Sequence, residues 1–129
     1  MNKRIIKLSI LVIGFIIILF FIRYFTYDIS NPNSGNFDNN KDFVDNQVYI
    51  VFNKELSSFR FKIFLMQIQG KNDVTTQDIM AIGRYGITLN KTFETKDEIE
   101  EYCKKLIKKH NIIEYCYPIK IHDSINLLQ

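Results

Sequence analysis

The sequence predicts an α+β protein in which an N-terminal transmembrane helix precedes a small sheet of about four strands, covered by one long and one short helix. Three observations predict this architecture. An uncharged apolar segment fills residues 8–22. Short apolar runs recur after residue 47, and near the carboxyl end a strand, an amphipathic helix and a second strand follow one another. We therefore divide the chain into a membrane segment, a linker and a domain, at residues 1–25, 26–46 and 47–129.

The apolar segment is long enough to cross a bilayer once its flanks are included. Leu8–Ile22 has 15 uncharged residues, which give about 22 Å of helix against a hydrocarbon core of about 30 Å. Lys7 and Arg23 can extend their charged ends to the headgroups. Ile5–Phe25 then contributes 21 residues, or about 31 Å. We expect residues 5–25 to lie in the membrane lipid bilayer.

The residues after this segment favour an uncleaved signal-anchor over a signal peptide that is removed. A cleavage site needs small residues at alternate positions, whereas the chain continues as RYFTYDIS. In the flanks of the uncharged run Leu8–Ile22, three basic residues come before it and one, Arg23, comes after it, which predicts a cytoplasmic N-terminus. The frequent Ile, Asn and Lys residues are typical of an AT-rich genome, most simply a bacterial one. The expected location is the cell membrane, single-pass, with the C-terminal domain extracytoplasmic.

The charge distribution argues against nucleic acid as a partner. Four of the 17 basic residues lie at or before Arg23, and all 14 acidic residues lie at or after Asp28, which leaves 13 basic against 14 acidic residues in the rest. A near-neutral domain lacks the basic surface that a phosphate backbone requires. Asp28–Asn46 is rich in Asn and Asp, and predicts a flexible tether with a reach of roughly 20–25 Å that leaves the domain's orientation free.

Four elements are predicted between the tether and the helix that begins at Lys96. We predict a buried strand at Val48–Phe52, a strand at Phe59–Gln69, a short helix at Thr75–Gly83 and a strand at Gly86–Phe93. The second of these is ambiguous, because its alternation of apolar residues slips at Phe64–Met66 and would need a bulge. A helix remains the alternative there, with one apolar side formed by Leu56, Phe59, Ile63 and Met66.

The clearest element is a helix at Lys96–His110. Thr95 and Glu98 have the spacing of a capping box, His110 is expected to act as a cation at the helix end, and Asn111 as its left-handed terminator. The apolar stripe consists of Ile99, Tyr102, Cys103, Leu106 and Ile107. A strand at Ile112–Ile121 follows, with one face formed by Ile113, Tyr115, Tyr117 and Ile119. Together these elements form a βαβ unit, and the sheet is ferredoxin-like in outline.

Cys103 and Cys116 are the two cysteines of the chain, and outside the cytoplasm a disulfide has to be considered. Cys103 lies on the sheet-facing side of its helix. Strand alternation places Cys116 opposite the Tyr115 face, which we take as the buried one, so we expect no internal bridge. A homodimer linked through Cys116 remains an alternative.

Chemical sites are weakly indicated. Cys103, His110, Cys116 and His122 have no close ligand spacing, so we expect no metal. The run His122 to Ser124 contains the residue types of a catalytic triad, but adjacent residues cannot converge as a triad does. We expect no catalytic residues, no cofactor and no enzyme. The sequence GRYG at residues 83–86 has the spacing of a KH-domain loop, although a turn that needs glycine explains it better.

The segment TLNKTFETKDEIEEYCKKLIKKHNIIEYCYP, at residues 88–118, resembles the second half of a subtilisin-type propeptide or its free-standing inhibitor relatives. The matching positions are Asn111, Ile113, Glu114, Tyr115 and Pro118. The resemblance implies a ferredoxin-like fold whose sheet docks on the protease, and it makes Ile119–Gln129 an inhibitory tail. It covers about a quarter of the chain, and residues 54–85 do not follow the pattern.

Two functions are therefore expected from the sequence. The first is a single-pass membrane protein whose outer domain binds another protein at the cell envelope, through strand edges or aromatic faces. The second is a membrane-anchored inhibitor or folding assistant of a subtilisin-like serine protease.

Overall fold

The computed structural model describes residues 2–27, 38, 40–73 and 83–121. In this part of the chain, one long helix precedes four strands and two further helices. In chain order they are α1 (Lys3–Thr26), β1 (Phe43–Phe52), α2 (Ser58–Ile68), β2 (Gly70–Asp73), β3 (Arg84–Leu89), α3 (Lys96–Lys109) and β4 (Ile113–Lys120).

The four strands form one sheet in the order β2-β3-β1-β4, and every neighbouring pair is antiparallel. β1 and β2 are therefore parallel to each other with β3 between them, and β3 and β4 are parallel with β1 between them. Each of these pairs is joined by one helix, so the domain consists of two interleaved βαβ units. The predicted α+β architecture, with four strands and two covering helices, is confirmed in this outline.

The core lies between the sheet and the two helices. Val48 and Ile50 of β1, Ile87 of β3, Leu65 of α2 and Ile99 of α3 have no exposed surface. They belong to one continuous apolar cluster, so both helices pack on the same face of the sheet. Burying these branched side chains contributes about 1.5–3 kcal/mol each.

α1 is a continuous helix of 24 residues, and none of them is buried. Its length is about 36 Å, and it is the one helix among the described residues that is long and apolar enough to cross a membrane. The side chain of Asn2 caps it by accepting a hydrogen bond from the N–H of Arg4 at 3.1 Å. A helix of this kind fits either a membrane span or a signal sequence.

β1 begins five residues before the predicted strand and so includes the end of the predicted linker. Val44 is fully buried, and Asp45 is only 5% exposed. Asp45 pairs with Lys41 (Nζ to Oδ2 3.3 Å), and its backbone carbonyl accepts from the N–H of Phe93 at 2.8 Å. Asp45, one of the polar residues that made this segment resemble a tether, is thus held within the fold. Residues 28–37 and 39 lie outside the described residues.

The prediction of a strand at Phe59–Gln69 is wrong, because this segment is α2. The Ser57 side chain caps the helix by accepting from the N–H of Arg60 at 3.3 Å, and Gln69 ends it in the left-handed conformation, with φ 55°. The apparent alternation came from the three apolar residues 59, 61 and 63. The helical alternative is right in type and in part of its face: Leu56 and Met66 are buried as it requires, whereas Phe59 is 53% exposed.

The remaining elements before α3 are confirmed in part. β3 is a strand as predicted, but it ends at Leu89, and the chain then runs as a loop in which Phe93 is buried. The short helix predicted at Thr75–Gly83 lies outside the described residues, except for Gly83. That glycine has φ 81°, which is the left-handed conformation that a turn uses, and its carbonyl accepts from the N–H of Phe52 at 2.8 Å.

α3 confirms the predicted helix almost to the residue. The Thr95 side chain accepts from the N–H of Glu98 at 3.3 Å, and Glu98 in turn accepts from the N–H of Glu94 at 2.9 Å. Asn111 is not the left-handed terminator that we predicted, since Gln69 is the one non-glycine residue with positive φ among those described. His110 instead ends the helix in extended geometry, and its N–H bonds to the carbonyl of Leu106.

β4 is a strand as predicted, but its faces are reversed beyond its first residue. Phe52 pairs with Ile113, and Val51, one residue earlier, pairs with Tyr115, so Glu114 is an extra residue in β4. A bulge of this kind inverts the alternation that follows it. Ile113 therefore faces the core, whereas Tyr115 and Tyr117 lie on the opposite face and are 59% and 48% exposed.

The bulge also overturns our expectation about the cysteines. Because the alternation is inverted after Glu114, Cys116 lies on the helix-facing side of the sheet and forms a disulfide with Cys103, with Cα atoms 5.2 Å apart. Neither cysteine is free, so Cys116 has no thiol left for the intermolecular bridge that we kept as an alternative. The bond links the middle of α3 to the edge strand β4.

Candidate interaction surfaces

The sheet face that the helices leave uncovered has three tyrosines at its β4 edge. Tyr49 of β1 is directly opposite Tyr117 of β4 in the register, and their ring centroids are 5.0 Å apart. Tyr115 follows on the same side of β4 and lies opposite Val51. We call Tyr49, Tyr115 and Tyr117 the tyrosine surface. Rings of this kind offer a large apolar area with a polar end, which is the chemistry of a protein contact.

The edge of β4 itself is a poor site for adding a further strand. Among the strands of the described residues, β4 is the last in the sheet order. Pro118, in the middle of its second half, has no N–H to donate, and proline within an edge strand limits further pairing. The tyrosine surface is therefore a better contact than the backbone edge.

A second candidate is a groove of about 330 Å³ between the end of α2 and α3. Three lysines line it, namely Lys91, Lys105 and Lys109. The Lys91 ammonium lies over the ring of Tyr102 at 4.0 Å and over that of Phe93 at 5.1 Å. Burial and the nearby charge of Lys105 lower the pKa of Lys91. The groove could receive a small anionic group, such as a carboxylate.

Two other groups that line this groove are neutral near pH 7. Burial raises the pKa of Tyr102 to about 12, so its phenol keeps its proton. His110 lies edge-on to the ring of Phe64, with centroids 5.2 Å apart, and burial followed by the charge of Lys109 lowers its pKa. This shift disfavours the helix-end cation that we expected at His110, because a desolvated imidazole beside a lysine favours its neutral form.

The third candidate is the contact between α1 and the domain. Tyr27, which ends α1, has its hydroxyl within hydrogen-bonding reach of two backbone carbonyls, those of Leu65 (3.1 Å) and Gly70. Burial raises the pKa of Tyr27, so the hydroxyl keeps the proton that it donates. One turn earlier, the ring of Tyr24 lies 5.4 Å from that of Phe59, and the Lys62 ammonium lies 4.3 Å from the same Tyr24 ring.

This contact leaves a cleft of about 560 Å³ between the end of α1 and the ends of β2 and β3. Arg23 and Lys71 supply its two charged side chains. The remaining lining residues are uncharged: Tyr27, Gln69, Thr88, Leu89 and Asn90. Gln69 and Asn90 also line the groove that contains Lys91, Lys105 and Lys109. The cleft and this groove are therefore adjacent.

The structure places the residues of the three chemical sites considered above, which are the metal ligands, the GRYG loop and the triad-like run, as follows. No group of three His, Cys, Asp or Glu side chains that could hold a metal ion occurs among the described residues. Cys103 and Cys116 are joined to each other, which removes both from the ligand set that we considered. Gly83 forms the turn before β3, and Gly86 lies within the strand, so GRYG does not connect two helices as a KH loop does. His122 and Ser124 lie outside the described residues.

The residues that carry the propeptide resemblance lie at the junction of α3 and β4. Asn111 is in the turn, and its carbonyl accepts from the side-chain amide of Asn53 at 2.9 Å. Ile113 begins β4, Glu114 forms the bulge and Tyr115 is exposed beside it. Of the tail at Ile119–Gln129, only residues 119–121 are described. The bulge at Glu114 was not visible in the sequence, since its only mark is a glutamate between apolar residues.

No family model matches the chain, and neither a curated protein nor a solved structure matches it. The function therefore has to be argued from the geometry of these surfaces.

Proposed function

We propose that residues 43–121 form a ferredoxin-like domain. The support is the strand order β2-β3-β1-β4 with two interleaved βαβ units on one side of an antiparallel sheet. The fold alone assigns no activity, because this architecture hosts many unrelated functions.

We propose further that α1 is an uncleaved anchor in the cell membrane, with the domain outside the cytoplasm. Two observations support this proposal. The hydroxyl of Tyr27, after the apolar helix, donates to backbone carbonyls of the domain, so cleavage in this region would break a contact of the folded protein. The disulfide between Cys103 and Cys116 fits an oxidising compartment.

The function that the geometry supports best is non-enzymatic: the domain binds another protein at the cell envelope through the tyrosine surface. The observation that carries this proposal is the position of that surface relative to the anchor. α1 contacts α2 and the start of β2, at one edge of the sheet, whereas the tyrosine surface lies at β4, on the other edge and on the face away from the helices. Three strand spacings, about 14 Å, separate the two edges, so the bilayer leaves this face accessible.

The test is site-specific photo-crosslinking of the full-length protein in its native membrane. A photoreactive phenylalanine analogue at Tyr115 should give one discrete adduct. The same analogue at Lys104, an exposed position on α3, is the matched control and should give none. With the probe at position 117 instead, the adduct should form in the otherwise unchanged protein and should be lost when Tyr115→Glu is added. Equal labelling from Tyr115 and Lys104 would contradict the proposal.

A second function is favoured by one specific feature, which is the exposed tyrosine surface on the strand that leads into the tail. We propose as the alternative a membrane-anchored inhibitor or folding assistant of a subtilisin-like protease. In the propeptide family the sheet docks on the protease and the following tail enters its active site. Here β4 would supply both the docking face and, through Ile119–Gln129, the tail.

This alternative is tested by adding the full-length chain in detergent micelles to a subtilisin-like protease. Submicromolar inhibition that is lost when residues 122–129, the part of the tail beyond β4, are deleted would support it. Inhibition should also weaken in the Tyr115→Glu variant, whereas Lys104→Glu should leave it unchanged. Cleavage of the tail without inhibition, or no effect at high micromolar concentration, would remove the alternative and leave the general binding proposal standing.

A further inference from the structure

The cleft between α1 and the sheet is lined by basic side chains and lies near the end of the proposed membrane helix. The proposed protein contact, at the tyrosine surface, does not involve this cleft. Arg23 lies one turn before the end of the apolar helix. In an anchored protein, an arginine at that position extends to the headgroup layer. The part of the cleft that Arg23 lines must therefore lie at the level of the lipid headgroups.

The charged side chains of this cleft are of one sign. Arg23 lines it from the helix α1 and Lys71 from β2, and no carboxylate belongs to its described lining. The amides of Gln69 and Asn90 also line the cleft and can donate hydrogen bonds. Two cations and two neutral donors in one cleft suit a phosphate, which accepts charge-assisted hydrogen bonds through its oxygens.

Side-chain contacts between the end of α1 and the domain define the shape of the cleft. Tyr27, which lines the cleft, bonds through its hydroxyl to the carbonyls of Leu65 and Gly70. Tyr24 contacts Phe59 and lies under the Lys62 ammonium on the adjoining side.

We propose that this cleft is a phosphate site, and that the headgroup of an anionic phospholipid in the outer leaflet fills it. The proposal rests on the anchoring of α1 proposed above. Free inorganic phosphate has the same recognition chemistry and is the other source that the test must separate. The adjoining groove, with Lys91, Lys105 and Lys109, would extend the positive field around the bound headgroup.

The experiment is native mass spectrometry of the intact chain released from detergent micelles, with phosphatidylglycerol or phosphatidylcholine added. We expect phosphatidylglycerol to bind in preference. The Lys71→Gln variant should weaken its binding about fivefold, because one basic residue near an anionic lipid surface is worth about 1 kcal/mol. Lys71→Arg should keep the affinity, and Lys104→Gln on the far side of α3 is the matched charge control.

A parallel titration with inorganic phosphate, without lipid, separates the two sources. Binding of phosphate that Lys71→Gln weakens, with no preference between the lipids, would support the phosphate site and assign it to the free anion. No preference between the lipids together with no phosphate binding would overturn it, as would equal binding by Lys71→Gln and Lys104→Gln. Circular dichroism of each variant shows whether the domain is still folded.

The same spectra separate failure of this site from failure of the anchoring. A chain mass that corresponds to removal of the apolar segment would overturn the anchoring, and with it this site, because Arg23 and Tyr27 would be gone. An intact mass without any lipid or phosphate preference would overturn the site alone.

Discussion

Removing the disulfide should be the most informative single perturbation of the domain. Cys103 and Cys116 are 13 residues apart in the sequence. Closing a loop of that length in the unfolded chain lowers its entropy enough to stabilise the native state by about 3 kcal/mol. For a domain of this size each kcal/mol corresponds to roughly 4–8 °C in Tm, so reduction should lower Tm by roughly 12–24 °C.

The assay is thermal unfolding of the full-length protein in detergent, followed by near-ultraviolet circular dichroism of the tyrosines, with and without a thiol-free reductant. The double variant Cys103→Ala/Cys116→Ala is the control, because it should unfold at about the temperature of the reduced protein and show no response to the reductant. Two results would refute the reasoning. One is an unchanged Tm on reduction, and the other is alkylation of both cysteines in freshly isolated membranes, which would mean that the bond does not form in the cell.

Three further predictions concern single side chains. Tyr27→Phe should cost about 1 kcal/mol and speed hydrogen exchange near Gly70, measured by mass spectrometry, whereas exchange in α3 should be unaffected. His110 should make stability depend on pH: its pKa is lowered in the folded state, so its contribution is full above the unfolded pKa of about 6.5 and is lost as pH falls. The guanidinium chloride midpoint of unfolding should therefore be lower at pH 5.5 than at pH 7.5, and this difference should become smaller in His110→Gln. Ile99→Ala should cost about 2–5 kcal/mol in the same titration, whereas Ile107→Ala, at a position that is 38% exposed, should cost far less.

Elements with strong local signals could be predicted from the sequence. α3 begins where Thr95 and Glu98 indicate, because a capping box acts within one turn and needs no tertiary contact. The strand character of β1 and β4 followed from their apolar and aromatic residues for the same reason. The number of strands was also right, although one predicted strand is α2 and β2 was not predicted. Gly70 is needed at the start of β2 because Ile87 of β3 lies close to it. A contact between two distant residues of this kind cannot be seen in the sequence.

The errors occurred where a non-local contact decides the structure. The segment at Phe59 to Ile63 alternates as a strand would, but its cap at Ser57 and the slip after Ile63 favoured a helix, and packing against the sheet settles it. The bulge at Glu114 depends on how β4 pairs with β1. That single extra residue decided which side chains are buried, whether the cysteines could meet, and which tyrosines form the candidate contact.

The contact of α1 with the domain changes what the linker has to do. A free tether would let the domain rotate, and the tyrosine surface would then face the bilayer for part of the time. The Tyr27 hydrogen bond, the Tyr24–Phe59 contact and the Lys62 ammonium over Tyr24 are each worth on the order of 1 kcal/mol. Together they favour the docked arrangement, against the entropy that is lost when the domain is held in one orientation. A partner at the envelope would therefore meet the tyrosine surface in a fixed orientation, and weakening the dock should reduce crosslinking from Tyr115 without altering the surface itself.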